Sequence, residues 1–388
     1  MLVVITRVCD VYVAGVFTIA FANANLFLNI GKFGMRKFQV SDRACEFGFR
    51  EYRASRIASC IAMMVASCAY IAYSTVTLGY TAEKTLVMVV MCVFKAIDAY
   101  EDIYTGAYQR EDRLDIGAKM ITIRMAVALA LFAVLAIAFS NLLVSLALTT
   151  AFTAAFFAVQ VRYVRHRYGM PSPSTLRSIG HVMRLLKECA PVFAADFLLF
   201  YMGCAPKYAI DALMDDAVQA YYGYVAMPVF VVTLLASFIY NPMIGKLTDL
   251  WLAGKIGPFM KRFAKLLLAI VGITTACVIG AWAIGVPVLG ALYNADLSPY
   301  LAELLVLVVG GGFLAIATLA TLGITIIRFQ NILVPLYAAL AVFAYFASSA
   351  GVAALGITGA AWAYFAIMGL AAIVFSLAFC LRILAAVR

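Results

Sequence analysis

The chain has 388 residues, of which 66% are hydrophobic and only 12% charged, yet its net charge is +10. Soluble domains carry about 45–50% apolar and about 25% charged residues, so this composition excludes a soluble globular fold. The cations are confined between uncharged apolar runs, which reads as loops facing an anionic leaflet rather than a nucleic-acid surface.

Met125–Val161, Ala217–Gly245, Leu266–Ala295, Leu305–Ile327 and Phe329–Leu381 contain no Asp, Glu, Lys or Arg. A bilayer core of about 30 Å takes roughly 20 apolar helical residues, so the longest of these runs must turn and span twice. The pattern predicts eleven helices in chain order, near 12–31, 57–79, 85–106, 119–139, 142–162, 188–205, 220–240, 263–285, 300–326, 332–350 and 358–383. Ser140-Asn141 breaks the first double run. Ser348-Ser349-Ala350-Gly351, with Gly356 and Gly359, breaks the last. The fold class is an all-α polytopic membrane protein.

Of the 29 Lys and Arg, 24 fall in every second connection, beginning with Lys32, Arg36, Lys37, Arg43, Arg50, Arg53 and Arg56. The positive-inside rule makes that side cytoplasmic, with the C-terminus inside, in the plasma membrane. Arg124, at the start of its helix, is expected to snorkel to the same surface. The N-terminus then lies outside, and Met1-Leu2-Val3-Val4-Ile5 reads as the end of a span. The expectation is a first helix, of twelve, missing from this chain. Residues 1–161 form an N-terminal lobe of five helices, and 188–388 a C-terminal lobe of six. Between them 162–187 is a basic linker containing Pro171-Ser172-Pro173-Ser174.

Some polar residues stand where lipid is expected. Lys95, Asp98 and Asp102 share a face of the 85–106 helix, with Lys95 about 15 Å deep. A charge there costs at least ~2.5 kcal/mol in lipid, so the face meets either a polar pathway or a partner. Asn25 and Asn29 share a face and suit either hydroxyl-rich ligands or neighbouring helices. Asp196 serves as either an ion-pair partner or a proton or cation site. Tyr221, Tyr222 and Tyr224 read as an interfacial aromatic belt, with sugar stacking as the alternative. Nine cysteines without a CxxC pair, and two histidines in one loop, indicate neither a metal site nor histidine catalysis. No phosphate-binding Gly-rich loop of the Walker A type occurs, and no cofactor is expected.

Three strings are specific. The first is Gly31-Lys32-Phe33-Gly34-Met35-Arg36 with Gln39, Ser41-Asp42 and Phe47-Gly48-Phe49-Arg50-Glu51-Tyr52-Arg53. The second is Lys95-Ala96-Ile97-Asp98 with Asp102, Tyr104, Gly106, Gln109, Arg110 and Arg113. The third is Pro191, Pro206-Lys207-Tyr208-Ala209-Ile210, Gly223-Tyr224 and Tyr240-Asn241-Pro242. Together they resemble the polysaccharide-type (Wzx-like) lipid-linked oligosaccharide flippases of the multidrug/oligosaccharidyl-lipid/polysaccharide (MOP) exporter superfamily. The resemblance implies two six-helix lobes around a central cavity, worked by alternating access. It implies an undecaprenyl-pyrophosphate-linked oligosaccharide as substrate, with membrane lipids, a polysaccharide polymerase and glycosyltransferases as partners. It also implies a role in surface polysaccharide, including lipopolysaccharide, biosynthesis. Arg36, Arg110 and Arg113 stand at cytoplasmic helix ends, where such a substrate would arrive, and solvated positive-inside charge would also explain them. A cation-coupled drug antiporter of the same superfamily is the alternative, with Asp98, Asp102 and Asp196 as its carboxylates. An enzyme is not expected, because the outer loops are short.

Overall fold

A computed structural model describes residues 1–42, 46–169 and 179–387. Arg43, Cys45, Arg177, Arg388 and the Pro171–Ser174 stretch lie outside the described residues. The chain divides into two compact units, Met1–Phe197 and Leu198–Arg388.

In the N-terminal unit α1 (Leu2–Val8) precedes α2 (Val11–Lys32), and α3 (Met35–Ser41) follows it across a tight elbow. Then come α4 (Phe49–Leu78), α5 (Ala82–Arg110), α6 (Leu114–Phe139), α7 (Leu142–Tyr168) and the first part of α8 (Ile179–Leu213). The boundary between the units falls inside α8. The C-terminal unit continues with α9 (Asp216–Tyr240), α10 (Ile244–Leu252), α11 (Ile256–Gly280), α12 (Val286–Tyr293), α13 (Leu301–Ile326) and α14 (Leu333–Val387). A π turn over Ala281–Gly285 joins α11 to α12.

Nine segments among the described residues are long and apolar enough to cross a bilayer. Two corrections bring them to about eleven. The last segment is two helices in one, divided at Gly356, whose φ of 59° and ψ of −130° are non-helical. Helix α5 is long enough but carries too many charges to qualify by composition. The protein is a multi-pass membrane protein.

The predicted helices are each present, and the largest group of differences follows one rule, while α8 also runs on past 205 to Leu213. Helices α4, α6, α7, α8 and α11 run 5 to 9 residues further at their basic ends than hydropathy implied. Arg and Lys on helical turns end an apolar run without ending a helix, because their stems lie along apolar surface and their heads reach water. Thus α7 and α8 both extend into the stretch expected as a linker. Two of the expected basic loops also hold short helices, α3 and α10.

The breaks have local causes. Ser140 closes α6 in the left-handed region (φ 49°), and the Asn141 side chain caps α7 by accepting from the Val144 N–H at 2.9 Å. In the last run Ser348 to Gly351 remain helical and Gly356 alone makes the break, a correction to the wider Ser/Gly breaker expected. The tyrosine belt needs correction too. Tyr222 and Tyr224 are buried, Tyr224 stacks on Tyr293 at 4.5 Å, and Tyr221 lies against Tyr300.

Candidate substrate cavity in the N-terminal unit

Helix α5 packs against α2, α3, α4, α6 and α7, so its charged face is enclosed by protein rather than lipid. Lys95 Nζ donates to Asp98 Oδ2 at 3.0 Å and lies 4.8 Å over the Phe21 ring. Arg124 does not snorkel. It is 1% exposed, and its Nη2 reaches Asp98 Oδ1 and Glu101 Oε2, each at 2.6 Å. Its height on α6, level with two α5 carboxylates, makes an inward ion pair cheaper than stretching to the surface. Lys95, Arg124, Asp98 and Glu101 thus form a neutral quartet, the condition under which buried charge is tolerated.

Asp102 belongs to a second cluster. Arg56, fully buried, donates from Nη2 to Asp102 Oδ2 at 3.0 Å and from Nη1 to the Gly31 carbonyl at 2.7 Å. Arg36 approaches the other carboxylate oxygen at 3.4 Å. Arg36 also donates from Nε and Nη2 to Gln109 Oε1, at 3.1 and 2.9 Å. Gly106 lets α3 come this close, because a Cβ there would overlap Gln39 and crowd the Arg36 stem. The elbow that aims α3 depends on Phe33 and Gly34, both with positive φ.

Beside this second cluster lies a cavity of about 430 Å³, within the range of small-molecule sites. Asn29, Arg36, Asp102, Gln109 and Asp196 line it, together with Lys32, Gly34, Lys37 and Val40. Asp196 accepts from Lys37 Nζ through both oxygens, at 2.8 and 2.7 Å. The lining carries three cations and two carboxylates. Asp102 is neutralised from behind by Arg56, and Lys32 makes no ion pair among the described residues.

The other five expected residues lie elsewhere. Lys95 and Asp98 sit in the quartet. Asn25 donates to the Phe21 carbonyl of its own helix at 2.7 Å. Arg110 is not poised for an incoming substrate: its Nη1 donates to the Phe47 carbonyl at 3.3 Å, with Asp42 at 3.8 Å. Arg113 pairs with Asp115 at 3.1 Å and lies over the Tyr168 ring. Much of the first specific string is accordingly a structural knot. Asp42 accepts from the Glu46 and Phe47 N–H groups and from the Tyr52 hydroxyl, while Glu51 caps α4 through the Gly48 N–H. Arg56 and Glu101 were missed in the sequence. Glu101 sits three residues after Asp98, the spacing that places both against one cation.

No family model and no curated relative matches the sequence. Solved structures do. A multidrug resistance MATE family transporter of the MOP superfamily, inward-facing, matches with a TM-score of 0.68 and 17% identity, over 96% of this chain and 90% of that one. The Vibrio cholerae MATE transporter VcmN in its bent form gives 0.62 and 12%, over 96% and 86%. A MOP superfamily transporter from Pyrococcus furiosus gives 0.56 and 15%, over 96% and 86%. This chain has the MOP transporter fold. At such identities the likeness carries the architecture alone, so substrate class must be argued from the cavity.

Proposed function

We propose that the protein is a flippase moving a polyprenyl-pyrophosphate-linked oligosaccharide, of the undecaprenyl type, across the plasma membrane by alternating access. The carrying observation is the cation surplus of the cavity. Lys32, Arg36 and Lys37 face a space in which Asp102 and Asp196 are each already engaged by a cation. A pyrophosphate headgroup needs charge-assisted donors, and Asn29 and Gln109 add amides suited to sugar hydroxyls. The polyprenyl tail stays in lipid. A basic side facing the cytoplasm, with the C-terminus inside, would place the cavity where such a lipid is made. Glycosyltransferases and a polysaccharide polymerase would then act before and after it in surface polysaccharide assembly.

The drug-antiporter reading draws on the MATE transporters among the similar structures and on the two carboxylates in the same cavity. An antiporter for organic cations needs a carboxylate open to its substrate or coupling ion, and here both are held by Arg or Lys. The Pyrococcus furiosus transporter is described as having a binding pocket of reverse polarity that suggests a different function, so pocket charge varies on this fold.

The test is a reconstituted vesicle assay with a fluorescent undecaprenyl-pyrophosphate oligosaccharide, alongside ethidium export from cells. Lipid translocation by the full chain, lost in Arg36→Met with normal membrane levels, is expected. Ethidium export without lipid translocation would overturn the proposal.

A further inference from the structure

Lys37 is 66% exposed in its side chain and Asp196 35%, yet Lys37 Nζ meets both carboxylate oxygens within 2.8 Å, at the wall of the cavity. A pair this exposed contributes little to stability. It is accompanied by other contacts between the α2–α3 elbow and α8. Phe33 stacks on Phe193 at 4.4 Å, and a Cβ on Gly34 would come within 2.9 Å of Val192. Arg184 binds Glu46 at 2.6 Å. Asp196 thus places an anionic group, borne by a helix, against one of the three cations of the cavity.

We propose that Asp196 is a built-in stand-in for the substrate's phosphate. In the empty cavity it occupies Lys37, and an arriving pyrophosphate displaces it, taking Lys37 together with Arg36 and Lys32. The exchange keeps the Lys37 charge satisfied at both stages, so it carries no cost of an uncompensated cation. It also removes the ionic tie between α3 and α8, while the Phe33–Phe193 stack and the Arg184–Glu46 pair remain, so occupation of the cavity frees the turn of α8 that bears Asp196 and not the helix as a whole. Asp196 is therefore a positioning residue that holds Lys37 in the cavity wall until the headgroup takes it over. This rests on the anionic-headgroup reading above.

The experiment uses the full chain in nanodiscs with geranylgeranyl pyrophosphate as probe and geranylgeraniol as the uncharged control, read by calorimetry. Asp196→Asn keeps the shape and is expected to bind the pyrophosphate about tenfold tighter, the gain for a subsite occupied by its own carboxylate about nine-tenths of the time. In a Lys37→Met background the same change is expected to yield no gain, because the contested cation is gone. Hydrogen exchange in the turn around Asp196 should rise by no more than about a few-fold on adding the probe to the unaltered protein, and be raised equally beforehand in Asp196→Asn. Probe binding that is unchanged or weaker in Asp196→Asn overturns the stand-in while leaving the anionic reading intact. Failure of both the unaltered protein and Asp196→Asn to prefer pyrophosphate over the alcohol overturns both.

Discussion

The two compact units handle buried charge in opposite ways. In the N-terminal unit Glu51, Arg56, Lys84, Lys95, Glu101, Asp102 and Arg124 are buried. Among the described residues of the C-terminal unit only Asp216 and Glu303 are. Those two stand in the first turns of α9 and α13, where free N–H groups and the helix dipole favour a carboxylate. Lys95, Glu101 and Asp102 of α5 and Arg124 of α6 lie further inside their helices, where no dipole end can serve them, and depend on one another and on Arg56. The C-terminal unit shows what this fold needs in order to pack: stacked rings such as Phe263 on Phe379, small residues along α13, and a break at Gly356. Of the buried charges of the N-terminal unit only Asp102 reaches the cavity, where Lys32, Arg36 and Lys37 join it from the less buried elbow and α3.

The contrast can be broken most severely at Arg124. Arg124→Met leaves Asp98 and Glu101 facing Lys95 alone, and we expect a loss of about 3–5 kcal/mol, read as collapse of membrane levels and of the melting temperature in detergent. Removing charge in balanced pairs should do far less. Lys95→Met with Asp98→Asn leaves Arg124 against Glu101, a neutral pair, so stability should change by no more than about 1–2 kcal/mol. Because neither residue lines the cavity, lipid translocation at normal membrane levels is the expected outcome. Its complete loss would place the pair in the pathway.

In the C-terminal unit Glu303 accepts from the Thr358 hydroxyl, beyond the Gly356 break. Glu303→Gln keeps an acceptor for that bond without the carboxylate's desolvation, and a melting temperature shifted by less than about 1 kcal/mol equivalent is expected. A large destabilisation would show that charge matters in this unit as well. Smallest of all is Arg113→Ala. Its ion pair with Asp115 is half-exposed, and no measurable change in melting temperature or pyrophosphate binding should follow.

Much of the architecture was legible because a bilayer allows few solutions. A backbone in hydrocarbon must satisfy its own hydrogen bonds, so apolar length and breakers such as Ser140-Asn141 suffice to count helices. Hydropathy was a poor guide at the basic helix ends, at the far end of α8 and at α5, where helix and hydrophobicity part company. The cavity was half legible. Asn29, Arg36, Asp102, Gln109 and Asp196 stood out by depth or by the family-like strings. Lys32 and Lys37 were indistinguishable from other loop cations, and Arg56 looked like one more of them.

By itself the sequence determined that this chain crosses a membrane many times, as helices, with most of its cations in alternate connections. Those properties follow from composition and from spacing along one dimension. Only the tertiary structure decided which charges are partners. Arg124 turns inward rather than to the surface, Arg56 serves Asp102 from 46 positions away, and Lys37 finds Asp196 at a separation of 159. Coulomb interaction depends on distance in space and on the dielectric around each pair, and neither quantity is written in the order of residues.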